Sequence, residues 1–293
     1  LDWQTLSGIA RNFSLSPRSA RPLLEGTQNT TYLVHAAEGR FVATLLEQRT
    51  AGWAEAHVNF VSRLASHGLP VPLPRPSVSG SWIHLHEGKP VTMTAYIEGI
   101  CDGELTQAEL FRLGGVLAEV HTSGVSYDVD PTNRLTERDL AWLARVRRDS
   151  FAHWALRQHS MTQGVFHECG IRVLTHGDPF RDNVIVRPNG RLALIDWEDA
   201  AIDLPEVDLG IAILAHCDKD SIPVRARCLL SGYHAHGGSR EMTLAAVFRM
   251  AAYAGLVLAY RRYRRRLEGT VLPEGHQPLK EMVTSLNDCL DGL

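Results

Sequence analysis

Cysteine is scarce in this sequence and is not arranged as a framework. The five cysteines among 293 residues, Cys101, Cys169, Cys217, Cys228 and Cys289, are odd in number, scattered, and never spaced as Cys-x-x-Cys. That pattern excludes a disulfide-stapled scaffold and a zinc ribbon, and leaves buried thiols in a reducing compartment as the expectation. The fourteen histidines contain no His-Glu-x-x-His or comparable ligand array, so they read as surface or packing residues. Charge of one sign is also missing. A net charge of -3 gives no global reason to expect nucleic acid or an anionic membrane as partner. No amino-terminal stretch combines a basic start, an apolar segment and a small-residue cleavage site, and the longest apolar run, Ala251 to Tyr260, is too short to cross a bilayer. A cytoplasmic protein is therefore expected. Internal repeats and low-complexity tracts are absent, and 44% hydrophobic with 22% charged residues is the balance of a globular chain long enough for two lobes or one large domain.

What is present converges on one stretch. Leu174-Thr-His-Gly-Asp-Pro-Phe-Arg-Asp-Asn-Val-Ile-Val186, followed by Leu194-Ile-Asp-Trp-Glu198, reads as a strand, a polar loop, a second strand, a Pro188-Asn189-Gly190 turn, and a third strand ending in a carboxylate. Asp, Asn, Gly and Pro are ordinary turn formers, and a single Asp-to-Asn spacing arises often by chance. The combination of His176, Asp178, Asn183 and Asp196 is more specific, because it repeats the His-x-Asp-x-x-x-x-Asn spacing of a kinase catalytic loop followed by a metal-binding Asp. Phosphoryl transfer needs a carboxylate that orients and deprotonates the attacking hydroxyl, and hard oxygen ligands that hold magnesium on the phosphates. Asp178 suits the first role; Asn183 and Asp196 suit the second.

The rest of the chain reads as a mixed α+β protein. A short helix over 3–13 is followed by a strand, a small polar turn and a strand within 21–35, and a third strand over 41–46. The turn Gly26-Thr27-Gln28-Asn29-Thr30 offers backbone amides and small hydroxyls to a polyphosphate, a weak signal taken alone. A helix over 53–67, an extended Pro-rich connector over 69–76 and two strands over 82–87 and 90–97 complete a small sheet with a helix against it. The boundary is expected near Gly99, giving an amino-terminal nucleotide-binding lobe over 1–99 and a catalytic, substrate-binding lobe over 100–293. Thr106 with Glu109 forms a capping box, and Thr136 with Asp139 repeats it with Asp in place of Glu. Residues 200–205 read as loop, and Asp208, early in the next helix, is placed to brace neighbouring backbone amides. The final stretch is helical over 242–267, and its basic end, Arg261 to Arg266, reads as a solvated helix terminus or an anion-attracting patch.

These motifs resemble the aminoglycoside phosphotransferase and choline kinase-like family, a branch of the protein-kinase fold, over nearly the whole chain. The carriers are His176-Gly177-Asp178 to Asn183, Leu194-Ile195-Asp196-Trp197, and Leu117-Ala118-Glu119-Val120-His121. Gln28-Asn29-Thr30-Thr31-Tyr32, Phe41-Val42-Ala43-Thr44-Leu45 and Phe180-Arg181-Asp182-Asn183-Val184 are most similar to the homoserine kinases of that fold. The resemblance implies ATP and Mg2+ as cofactors, a nucleotide cleft between a small antiparallel-sheet lobe and a larger helical lobe, adenine hydrogen-bonded near Thr94 and Tyr96, Asp178 as base, and Asn183 with Asp196 as metal ligands. It also exposes a departure. Thr44 stands where most members carry a lysine that grips the phosphates, so the missing charge must come from magnesium, the 26–30 turn, or an arginine such as Arg40 or Arg49, and the usual pairing with a helix carboxylate, here Glu55, is expected to be absent. The expected acceptor is a small-molecule alcohol. Arg181 suits a substrate carboxylate or braces its own loop, whereas Asp182, Glu198, Asp199 and Asp203 would suit an aminated antibiotic. An antibiotic phosphotransferase, a peptide Ser/Thr kinase and a nucleotide-binding pseudokinase are the alternatives.

Overall fold

The structure is a computed structural model that describes residues 1–23, 29–101, 103–127, 134–146, 149–162, 164–166, 170–269 and 275–293. Gly26, Thr27 and Gln28 lie outside the described residues. The chain divides into two compact units: 1–99 with 187–189 and 193–198, and 100–186 with 190–192 and 199–293.

The first unit begins with α1 (Trp3–Asn12), capped by the Asp2 carboxylate on the Thr5 amide. Its apolar face is Leu6, Ile9 and Ala10, continued by its C-cap Phe13, while Trp3 is 46% exposed. Strands β1 (Pro17–Leu23), β2 (Thr30–Ala36) and β3 (Gly39–Leu45) follow. β1 starts at Pro17, four residues ahead of its expected start, because its first half alternates small and polar residues and carries no apolar run for periodicity to detect. After α2 (Ala51–Ser66) come β4 (Ile83–His86) and β5 (Lys89–Ala95), and the antiparallel sheet has the order β1-β2-β3-β5-β4. Strand alternation explains its two faces. Phe41, Ala43 and Leu45 of β3 pack with Tyr32, Val34, Val91 and Met93 against Leu6 and Ile9 of α1 and its C-cap Phe13. Thr44 therefore points to the other face, in register with Thr31 on β2 and Thr92 on β5.

In the second unit both expected capping boxes are formed. Thr106 and Glu109 open α3 (Gln107–Thr122), and Thr136 and Asp139 open α4 (Glu137–Arg145). Helix α5 (Ser150–Thr162) leads to β6 (Val173–Thr175), a 3-10 turn over Arg181–Asn183, β7 (Val184–Val186) and β8 (Leu192–Leu194), the last two a hairpin about the Pro188-Asn189-Gly190 turn. Residues 200–205, expected as loop, contain β9 (Ala201–Asp203), which pairs antiparallel with β6 in the register Val173 to Asp203 and Thr175 to Ala201. Three residues are too few for an alternation to register, and their partner lies outside any local window. Helices α6 (Glu206–His216), α7 (Ile222–Ala235), α8 (Leu244–Leu267) and α9 (Gln277–Asp291) complete the unit. Helix α8 has the length and composition of a bilayer-crossing helix, beyond what its short central apolar run suggested, but 67% of its apolar window is buried inside the protein. The thiols also differ from expectation. Among the described residues only Cys217 is buried, and Cys101, Cys228 and Cys289 are partly exposed.

Helices α3 and α7 meet backbone to backbone. A Cβ on Gly232 would lie 1.8 Å from the Phe111 carbonyl oxygen, and one on Gly114 1.9 Å from that of Leu229. By contrast, nothing lies within 4 Å of a Cβ on Gly8 of α1. Gly232→Ala is therefore expected to cost about 1–3 kcal/mol by forcing the helices apart. Gly8→Ala should stabilise by about 0.5–1 kcal/mol through helix propensity. Urea titration of both variants measures the contrast.

Candidate active site

The loop after β6 is held from below by a single helix. Asp208, in the first turn of α6, is fully buried; its Oδ2 accepts from the His176 amide at 2.7 Å and its Oδ1 from the Gly177 amide at 2.8 Å. Oδ2 also meets His121 Nε2 at 3.0 Å, and His121 Nδ1 contacts the Tyr233 hydroxyl at 3.1 Å. Burial alone would raise the Asp208 carboxyl, but the hydrogen bond and charge of His121, then the charge and amide of His176, hold it below the usual carboxylate range. At the other end of α6 the Ala215 carbonyl accepts from Arg181 Nε at 2.6 Å, and His216 Nε2 lies 3.2 Å from the Pro179 carbonyl. One helix thus fixes residues 176, 177, 179 and 181. Gly177 is required where it stands: its φ is +83°, and a Cβ there would lie 2.1 Å from the Asp199 carbonyl oxygen.

Within this cradle Asp178 and Asn183 come together. Asn183 Nδ2 donates to Asp178 Oδ2 at 3.0 Å and to the Asp178 carbonyl at 2.9 Å. With its nitrogen so engaged, the Asn183 side chain has Oδ1 to offer a cation. The Asp178 amide approaches His176 Nδ1 at 3.3 Å. Arg181, one candidate for an acceptor carboxylate, uses Nε to hold the end of α6. Cys101 Sγ donates to the Asp182 carbonyl at 2.8 Å.

Asp196 belongs to the first unit, directly after β8, with φ of +59°, a left-handed conformation uncommon outside glycine and typical of constrained functional positions. The segment is anchored on both sides. The Leu194 amide donates to the Pro70 carbonyl at 2.9 Å. Buried Trp197 donates its indole N–H to the Leu194 carbonyl at 3.2 Å and meets the Phe60 ring edge-on at 6.2 Å. Asp196 is thereby presented on a rigid turn, and carboxylate and amide oxygens of this kind are the hard donors that suit magnesium.

The expected nucleotide-binding residues of the first unit have partners of their own. Asn29 Nδ2 donates to Glu198 Oε1 at 2.7 Å, and the Thr30 hydroxyl donates to Glu47 Oε1 at 2.7 Å. Glu198, expected to face an acceptor, is taken on its other oxygen by Arg49. Thr94 lies on β5 opposite Val42, its neighbours Met93 and Ala95 are hydrogen-bonded to Arg75 and Leu73, and the Tyr96 amide donates to the Arg40 carbonyl at 3.0 Å. Arg40 itself stacks over the Tyr96 ring and pairs with Glu98. Glu55 accepts from the Ser81 hydroxyl and the Trp82 amide. His121 entered the sequence reading only as the end of the Leu117 to His121 motif, with no partner assigned, and Tyr233 and His216 carried no signal there.

His216 links this site to pH. Burial pulls its pKa down from 6.5 to about 4; the Pro179 carbonyl opposes that shift, and the charges of Arg181 and Arg225 add to it. A depressed histidine binds its proton more readily in the unfolded chain, so stability falls as pH drops from 6.5 toward 4, by about 3 kcal/mol at most for one such group. His216→Gln, which keeps a donor for Pro179, is expected to flatten that part of the profile in denaturant titrations at stepped pH. An unchanged slope would show that His216 is not the group responsible.

Comparison with known proteins agrees with this architecture. The family model described as the phosphotransferase enzyme family matches residues 19–243. A homoserine kinase of Methylobacillus glycogenes is 28% identical over 223 residues, 73% of this chain and 69% of that protein. A homoserine kinase of Bradyrhizobium diazoefficiens is 27% identical, with 73% and 69% covered. Among solved structures, a microcompartment-associated aminopropanol kinase superposes with a TM-score of 0.74 at 18% identity, covering 99% of this chain and 97% of that one. The fold is that of kinase-like phosphotransferases, an antiparallel-sheet amino-terminal part followed by a helical one. With its family model matched over most of its length, this chain belongs to the phosphotransferase enzyme family.

Proposed function

We propose that this chain transfers the terminal phosphate of ATP to the hydroxyl of a small amino-acid alcohol of the homoserine kind. Family membership and the names of the curated relatives support the reaction class, and the 3.0 Å contact between Asp178 and Asn183 carries the mechanism. Asp178 accepts the hydroxyl proton as the alcohol oxygen attacks the γ-phosphorus; the bond to the bridging oxygen breaks and ADP leaves with that oxygen. Asn183, through Oδ1, and Asp196 are the residues that would hold magnesium, which when bound neutralises phosphate charge. Asn183 keeps the Asp178 carboxylate at one rotamer, and α6 keeps the backbone beneath it still, so the base is preorganised before substrate arrives. The absence of a β3 lysine does not by itself argue for an inactive protein, because the sequence retains Asp178, Asn183 and Asp196.

The acceptor is decided by a panel assayed with ATP: homoserine, other hydroxy amino acids, aminoglycosides and peptide antibiotics. Homoserine, or a close hydroxy amino acid, is the expected substrate, and preference for an aminated antibiotic would replace this reading of the acceptor. Asp178→Ala is expected to lower turnover by about 10²–10⁴-fold while leaving nucleotide binding intact. Full activity in that variant would remove Asp178 from the reaction.

A further inference from the structure

The charge pair that a β3 lysine and a helix carboxylate would make is absent here at both ends. Position 44 is threonine, and Glu55 spends its oxygens on Ser81 Oγ at 2.8 Å and the Trp82 amide at 3.0 Å. Lys89, nearest along the sheet on β5, is committed to Glu47. A different pair occupies the first unit. Arg49, immediately before the Thr50 cap of α2, donates from Nε at 3.1 Å and Nη2 at 2.8 Å to Glu198 Oε2. The other Glu198 oxygen accepts from Asn29 Nδ2 at 2.7 Å. Glu198 is 18% exposed and Arg49 37%, so water screens the pair on the arginine side and less on the carboxylate side. The Arg49 guanidinium also lies over the Trp53 ring, 4.3 Å from its centroid, which fixes the plane of the fork.

What makes this cluster more than a surface ion pair is its place in the chain. Glu198 follows Asp196 by two residues, on a 3-10 turn over Trp197–Asp199 that opens with buried Trp197, so holding Glu198 restrains the backbone that carries Asp196. Asn29 adjoins the start of β2. Resting on the phosphoryl-transfer reading above, we propose that Arg49 and Glu198 are a positioning pair that locks the Asp196 turn to Asn29 and thereby presets the site for a magnesium nucleotide. Arg49 has a second effect. By neutralising Glu198 it stops a carboxylate two residues from Asp196 from drawing the cation to the wrong position. Neither residue touches the reacting atoms in this account; both act through Asp196 and Asn29.

The test is binding of magnesium ADP to the intact protein, measured by calorimetry, alongside the KM for ATP and kcat. Arg49→Ala and Glu198→Ala are each expected to weaken binding about tenfold or more, and the double variant to be no weaker than Glu198→Ala, because removing Glu198 already removes what Arg49 holds. Glu198→Gln, which keeps an acceptor for Asn29 and loses the ion pair, should fall between wild type and Glu198→Ala, with KM for ATP rising more than kcat falls. Arg49→Lys keeps the charge without the two-pronged contact and serves if an alanine variant melts early; it too should weaken binding. Wild-type affinity in the single variants, or losses that simply add in the double one, would overturn the pair. These outcomes are separable from the reaction itself: a wild-type protein that binds magnesium ADP but phosphorylates no acceptor would defeat the transfer reading, while the coupling between Arg49 and Glu198 would still decide this one.

Discussion

The site depends on a buried carboxylate. Asp208 gives its two oxygens to the amides of His176 and Gly177 and to the ring of His121, all away from solvent. A buried charge is tolerable only when it is paired and fully hydrogen-bonded, and removing its partners would leave several kcal/mol uncompensated. The loop conformation and the ionisation of Asp208 therefore stabilise each other. Because Ala215 and His216 at the far end of the same helix hold Arg181 and Pro179, the whole 176–181 loop is tied to α6.

This arrangement explains which parts of the molecule the amino-acid order reveals. Local signals translate directly: the Thr106 and Thr136 capping boxes, the turn at Pro188-Asn189-Gly190, and an acidic residue early in α6 all depend on neighbours within a few positions. The spacing of His176, Asp178 and Asn183 is legible for the same reason, since one loop must carry all three. Glu198 is the opposite case. From sequence it belongs to an acidic run suited to a cationic substrate, yet its partners lie 149 and 169 residues away and occupy both of its oxygens. Arg181 likewise reads equally well as a substrate cation or a brace, and only the distant Ala215 carbonyl shows that its Nε is bracing. Strand β9 escapes for a similar reason, because its existence is a consequence of pairing with β6 rather than of its own three residues.

The replacement of a lysine by Thr44 rearranges how charge is handled in the amino-terminal unit. Thr31, Thr44 and Thr92 line up across β2, β3 and β5, giving that face hydroxyls where a cation is usual. Three cations of the unit are paired, Arg40 with Glu98, Lys89 with Glu47 and Arg49 with Glu198. Each is already matched by a carboxylate.

The proposed reaction is direct attack of an alcohol on the γ-phosphorus, with Asp178 receiving the proton. Its most direct measurement is the stereochemical course of transfer from ATP made chiral at the γ-phosphorus with oxygen isotopes. A single in-line displacement organised by Asp178 predicts inversion at phosphorus in the phosphorylated alcohol. Retention would signal two displacements through a phosphorylated side chain and would contradict the account.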